Sequence, residues 1–157
     1  MNFRKLKLKL INFYPPFLGA GIRVTFPEDS GRVIVRMKLR NWNKNYAGSH
    51  FGGSLYAMTD PFYTLLLLKG LGDDYFVWDK SASIRFQRQG TGTVTVEFSI
   101  NKEEIDSIKQ EIEIKRRTER TYHTTIQDEK GRIVADVEKT LYIRRKGILD
   151  WDRLLRN

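Results

Sequence analysis

The chain has 157 residues, 28 Lys and Arg against 19 Asp and Glu, a formal charge of +9, two His, no Cys and 40% hydrophobic residues. A domain of about 150 residues buries roughly 68–70% of its unfolded surface, so one core is expected, and the lack of cysteine excludes a disulfide scaffold, a thiolate zinc site and a cysteine nucleophile. The charge fits nucleic acid, an anionic membrane or a phosphate-bearing ligand; the longest aliphatic run, residues 65–68, falls far short of the roughly 20 apolar residues of a membrane span, so a soluble, cytoplasmic protein is expected.

In chain order, Phe3, Leu6, Leu10, Phe13 and Phe17 recur at spacings of three and four, which predicts an amphipathic helix over residues 1–18, broken near its end by Pro15 and Pro16. Arg4, Lys5, Lys7 and Lys9 ahead of Gly19, Ala20 and Gly21 resemble a signal peptide in outline. A helix packed on the domain is the expected form, with a membrane-touching arm as the alternative. Residues 19–26 read as a strand and 28–31 as a turn. Val33, Val35, Met37 and Leu39 alternate with basic neighbours, the pattern of a half-buried strand. Residues 41–53 show neither period and read as a loop. Residues 54–68, apolar on nearly all sides and stopped by Lys69, Gly70 and Gly72, predict a buried central helix spanning 52–69.

Strand patterns follow. Phe76, Trp78, Ala82, Ile84 and Phe86 share one parity, and Val94, Val96, Phe98 and Ile100 share a face, as two antiparallel strands joined near 89–92. Residues 101–114 form a short helix or an irregular strand. Residues 118–127 and 132–143 form a hairpin around 128–131. A single α+β domain is predicted, with a buried helix against one broad antiparallel sheet. An uncovered apolar face or edge strand of that sheet would favour dimerisation.

Chemistry concentrates in residues 45–60. Gly52 and Gly53 at the start of a helix leave backbone N–H groups uncovered where the helix dipole is positive, an arrangement that holds an oxyanion; glycine there also serves a tight turn. Asp60 lies in a strongly apolar stretch, where an unpaired carboxylate is costly to bury. It either caps a helix starting at Pro61 or sits beside a proline kink in a continuous one.

The spacing NxxGxxxGG, here Asn45, Gly48, Gly52 and Gly53, with Asp60 seven residues after Gly53, resembles the hotdog-fold thioesterases of the phenylacetate-pathway type, whose pattern is NxxGxxHGG with a helix Asp. GAGIRV, NYAGSHFGGSLYAMTDPFY, VWDKSASIRF and VEKTLYIRRK are similar, more closely, to the DUF4442 family of that superfamily, over nearly the whole chain. The resemblance implies a hotdog fold, an antiparallel sheet wrapped around a long central helix. It also implies hydrolysis of an acyl-thioester such as acyl-CoA, without metal or redox cofactor, coenzyme A entering as part of the substrate. By position it makes Asp60 the general base or nucleophile and gives Gly53, or Gly52, the backbone N–H that polarises the thioester carbonyl. Asn45 would hold water or the Asp, with Gly48, His50 and Phe51 in the same loop. Phe51 stands where the pattern has histidine; His50, one residue earlier, either compensates from the loop or is a surface histidine.

Along one continuous helix Gly53 and Asp60 would lie roughly 10 Å apart, too far for both to serve one reacting carbon. A two-fold dimer would bring Asp60 of one copy to Gly53 of the other, and the resemblance implies the same homodimer or a dimer of dimers. Lys80 and Lys139 each share parity with an apolar face; both snorkel from strand ends, or one of them, Lys80 first, pairs with Asp60 or with a substrate phosphate or carboxylate. Basic clusters stand at Arg85 and Arg88, at 115–120 and at 144–146. With no helix-turn-helix, RNP or P-loop signature, nucleic acid is not the expected partner, and the excess charge reads as a field for coenzyme A phosphates. The leading expectation is thioester hydrolysis. The alternative is an inert acyl or acyl-CoA binding module; a hotdog dehydratase would want the histidine that Phe51 replaces.

Overall fold

The structure is a computed structural model that describes residues 10–27 and 31–147. Residues 1–9, the first half of the predicted N-terminal helix with its basic side chains, lie outside the described residues, as do residues 28–30 of the predicted turn. A single 3-10 turn, Leu10–Phe13, precedes α1 (Pro15–Ala20); then come β1 (Ile22–Thr25), β2 (Arg32–Lys38), α2 (Gly52–Ala57) and α3 (Phe62–Leu71). The second half contains β3 (Tyr75–Phe86), β4 (Thr93–Ser99), α4 (Lys102–Lys115), β5 (Arg117–Asp128) and β6 (Ile133–Arg145). The six strands form one sheet in the order β1-β2-β4-β5-β6-β3, every neighbouring pair antiparallel. This is the α+β arrangement expected. No helix among the described residues is long and apolar enough to cross a membrane.

Alternation builds the sheet's inner face. Val33, Val35 and Met37 of β2 and Val94, Val96 and Phe98 of β4 are buried, as are Ala135, Val137, Leu141 and Ile143 of β6. Against this face lies α3, apolar all round as its sequence required, with Phe62 and Leu67 fully buried. Phe62 sits between Phe17 of α1 (6.1 Å between ring centroids) and Phe98 (5.1 Å), and Tyr63 stacks on Tyr122 at 4.7 Å.

Several expectations are corrected by local chemistry. Pro15 and Pro16 begin α1 instead of breaking a longer helix: at the first positions of a helix proline's missing N–H goes unneeded and its fixed φ is already helical. Gly19 and Ala20 belong to that helix, so the first strand starts only at Ile22. Gly21 ends α1 at φ 75°, and a Cβ there would lie 2.9 Å from the Asn43 amide, which ties the Ala20 and Lys38 carbonyls together. The central helix is not continuous over 52–69. It divides into α2 and α3, with a cis Asp60–Pro61 peptide between them.

Residues 101–114 resolve as a helix. Asn101 caps α4 through its side-chain oxygen, which accepts from the Glu104 N–H at 2.8 Å, and Ile105, Ile108 and Ile112 face inward. Asn101→Ala is expected to lower unfolding free energy by about 1 kcal/mol, read as an earlier urea midpoint at unchanged slope.

The largest topological correction concerns β3 and β4, which are not a hairpin. β3 pairs with β6 at the sheet edge, and β4 lies between β2 and β5. Residues 87–92 carry the chain across: the Gln87 N–H bonds to the Val134 carbonyl, and the Gly92 carbonyl accepts from Leu39 at the end of β2.

Candidate functional site

The site is assembled where the broken helix passes over β3 and β6. Lys139, in the middle of β6, points to the inner face and is 1% exposed. Its ammonium donates to Asp60 Oδ1 and to Asp79 Oδ2, each at 2.7 Å. Thr64, from the first turn of α3, donates its hydroxyl to the other oxygen of Asp79 at 2.9 Å. The two carboxylates remain accessible, with side-chain exposures of 48% for Asp60 and 30% for Asp79.

This geometry decides between the readings of Asp60. It does not cap α3, whose first residue follows Pro61 without a side-chain cap. Its carboxylate turns instead to the sheet, where the break in the helix brings it to Lys139. Of the two lysines the sequence singled out, Lys139 is the partner. It neither lies at a strand end nor snorkels.

Lys80 is corrected. Pairing of β3 with β6 runs Asp79 against Leu141 and then Ser81 against Thr140, so Lys80 is an extra residue in a bulge. One inserted residue reverses the alternation. Ala82, Ile84 and Phe86 therefore register with Lys139, Val137 and Ala135 on the inner face, as predicted. Before the bulge the phase is opposite: Tyr75, Val77 and Asp79 face inward, and Trp78 is 63% exposed. Lys80 pairs with Glu119 at 2.6 Å on the outer face. Lys80→Met is expected to leave stability within about 0.5 kcal/mol, as for exposed ion pairs generally, read as an unchanged urea midpoint. Asp79 is the member of the candidate site that sequence reasoning missed. A period of two run straight through the strand places it outside, and only the adjacent acid–base pair Asp79 and Lys80 in an apolar strand hints at an irregularity.

Charge in this cluster is unevenly shared. Burial raises the Asp60 carboxyl above the ordinary aspartate value, and the facing Asp79 adds to the effect, against the downward pull of Lys139. For Asp79 burial also works upward, but its contacts with Asp60, Lys139 and Thr64 together carry it below the ordinary value. Burial pulls Lys139 down, yet the two carboxylates more than restore it and it stays protonated. Two carboxylates around one ammonium leave one negative charge in excess, and Asp60 is the group on which it is least stabilised.

Asp60 lies on an apolar groove of about 430 Å³ lined by Ile11, Tyr14, Pro16, Phe17, Ala57 and Leu65 with Pro61. Among the described residues no basic side chain lines it. Arg120 instead pairs with Glu104 and Glu111, and Arg145 with Glu113, on and beside α4.

The glycine loop forms a second cluster. Ser54 and Leu55 donate to the Phe51 carbonyl at 3.0 Å each, so the N–H groups of Gly52 and Gly53 precede the first bonds of α2. The Phe51 ring, 57% exposed, lies over Gly53, where it leaves no room for a Cβ; the Phe86 ring lies over Gly52. Asn45 holds the loop: its oxygen accepts from the Ala47 and Ser49 N–H groups, and its amide donates to Ser49 Oγ and the His50 carbonyl. Gly48, at φ 80°, makes the turn. His50 is corrected from a surface residue to a buried one, 3% exposed. Its N–H bonds to the Gly90 carbonyl and its Nε2 lies 3.1 Å from the Gly92 carbonyl. Nε2 therefore carries the hydrogen, and burial holds the imidazole below its usual value despite that carbonyl. Asn45, His50 and Gly52, with Arg88 and Phe86, line a cavity of about 280 Å³. Among the described residues no hydrogen bond joins this loop to Asp60, and the break in the helix removes the straight-line reckoning of their separation.

The family model described as a domain of unknown function, DUF4442, matches residues 4–143. The chain belongs to the DUF4442 family. No curated protein matches it. Among solved structures, this DUF4442 chain is similar to a Pseudomonas aeruginosa protein of unknown function described as a probable thioesterase, at 25% identity and a TM-score of 0.77 over 91% of this chain and 93% of that one. A Chlorobaculum tepidum protein of unknown function has the same fold at 15% identity and a TM-score of 0.72, covering 91% and 94% of the two chains. So does a Haemophilus influenzae thioesterase at 15% identity and a TM-score of 0.63, covering 92% of each.

Proposed function

We propose that this chain is a hotdog-fold acyl-thioester hydrolase, acting in the cytoplasm on an acyl-CoA, with Asp60 as the reacting carboxylate. The observation that carries the reading is a half-exposed carboxylate of raised basicity, held by a buried lysine beside an apolar groove. The likeness to a Pseudomonas aeruginosa protein described as a probable thioesterase supports it.

Asp60 takes a proton from water, and the resulting hydroxide adds to the thioester carbonyl carbon. The tetrahedral oxyanion is met by a glycine N–H at the start of α2. Collapse breaks the C–S bond, and the proton held by Asp60 goes to the departing thiolate, giving acid and thiol. In the nucleophilic variant Asp60 attacks the carbonyl itself, and water opens the resulting anhydride. The groove takes the acyl chain, whose apolar surface suits its lining. We assign the complete site to a homodimer or a dimer of dimers, with Gly53 supplied by a second copy, as the hotdog resemblance implies. β3, paired along one edge only, supports that association.

Thiol release from a panel of acyl-CoA esters tests the reading; absence of release from every ester would sink it. The acid limb of kcat against pH is expected above the ordinary aspartate value of about 3.9, because Asp60 is raised: activity is present above its pKa and lost as pH falls through it. A second reading, a non-catalytic acyl-CoA binding module, rests on Phe51 lying over Gly53. Thermal stabilisation by acyl-CoA without turnover would select it.

A further inference from the structure

We propose that Asp79 and Lys139 are positioning residues for Asp60: Lys139 fixes one oxygen of the Asp60 carboxylate, and Asp79, held by Thr64, takes up the ammonium's charge so that Asp60 remains a base. The inference rests on the assignment of Asp60 as the reacting group and goes beyond it by giving two further residues opposite electrostatic roles.

The geometry carries the argument. A lone Lys–Asp pair at 2.7 Å would stabilise ionised Asp60 and leave it a weak base, since an adjacent cation lowers a carboxyl pKa. Here the same ammonium, 1% exposed, bonds equally closely to a second carboxylate. Asp79 has two donors, one on each oxygen, whereas Asp60 has Lys139 alone as donor and faces the Asp79 carboxylate. Asp79 is thus the better satisfied anion, and the excess negative charge falls on the carboxylate that faces the groove.

Each member comes from a different element. Asp60 lies between α2 and α3, Thr64 on α3, Asp79 on β3 and Lys139 on β6. The bulge at Lys80 turns Asp79 inward; without it an outward aspartate would leave Lys139 to Asp60 alone. The charged groups acting on Asp60 among the described residues are Lys139 and Asp79. Tyr14 lines the same groove, and Tyr122 of β5, opposite Lys139 in the register, stays neutral because burial pushes its phenol well up.

The two partners therefore pull in opposite directions on Asp60, and a merely structural cluster would not carry those opposite shifts into the acid limb of kcat. In Asp79→Asn the ammonium is left to Asp60, so the Asp60 titration and the acid limb of kcat move down by about one pH unit or more, and kcat falls. In Lys139→Met two carboxylates face each other without a cation, and the titration moves up by a comparable amount. The experiment is the full chain with carboxyl-carbon-labelled aspartate, following Asp60 by NMR across pH, its signal assigned by its loss in Asp60→Asn, alongside kcat and KM profiles on an acyl-CoA.

Opposite shifts with effects on kcat rather than KM are expected. Shifts of the same sign, or none, overturn the inference. Asp79→Asn, nearly isosteric at a partly exposed site, carries the test if Lys139→Met does not fold; loss of the folded state in both variants marks the cluster as a structural one and overturns it as well. Should the unchanged protein release no thiol, the proposed activity fails, while the NMR titration still decides the electrostatic roles.

Discussion

Asp60→Asn is expected to lower kcat for acyl-thioester hydrolysis by about 10²–10⁴-fold, the usual contribution of a positioned general base, with KM little changed. Asparagine keeps the shape of the side chain and an oxygen to accept from Lys139, so the loss would report the missing carboxylate and not a collapsed site. Removing Asp60's charge also leaves Lys139 and Asp79 as a balanced pair, so the variant should remain folded. Turnover within twofold of the unchanged protein would remove Asp60 from the reaction. Single-turnover hydrolysis in heavy-oxygen water then separates the two mechanisms. Attack by activated water puts the heavy oxygen into the acid in the first turnover. Attack by Asp60 with water opening the anhydride at the enzyme carboxyl puts a light oxygen there.

Phe62→Ala is expected to lower unfolding free energy by about 3–5 kcal/mol, the range for emptying an aromatic site in a packed core. Phe62 is fully buried and its ring contacts both Phe17 and Phe98, so its loss opens a void between α1, α3 and β4 that no single neighbour can fill. It is also the first residue of α3, directly after Pro61, and so anchors the end of the segment that carries Asp60. A large drop in the urea midpoint is the expected result; a cost below about 1 kcal/mol would mean that the core collapses around the void, contrary to the close packing described.

The secondary structure was legible wherever a side-chain period ran uninterrupted. The alternation in β2 and in β6 announced their inner faces, and the apolar stretch of α3 announced burial on all sides. Legibility stopped at single residues that change phase or direction. Lys80 reverses the parity of β3 and hides Asp79. Pro61 divides one helix into two. Pro15 and Pro16 were read as stops, but proline disrupts a helix interior while suiting its first turn, and sequence does not say which turn is first.

Strand order was beyond local patterns for a different reason. β3 and β4 are consecutive and joined by six residues, 87–92, yet they lie apart in the sheet. Which edges pair depends on the total apolar area buried over β6 and β5, a non-local quantity. The same holds for His50, whose burial depends on the turn at Gly90 and Gly92 folding back over it.

The amino-acid sequence by itself determined the α+β class, the apolar faces, the glycine loop of residues 45–53, and the presence of a carboxylate and a lysine on faces where charge is costly. Those features follow from side-chain chemistry and short-range period alone. The tertiary structure alone decided that Lys139, and not Lys80, meets Asp60, and that Asp79 completes the cluster. A buried ammonium is stabilised only by carboxylates within hydrogen-bond reach, and in this chain those carboxylates arrive from residues 60 and 79 positions away in sequence.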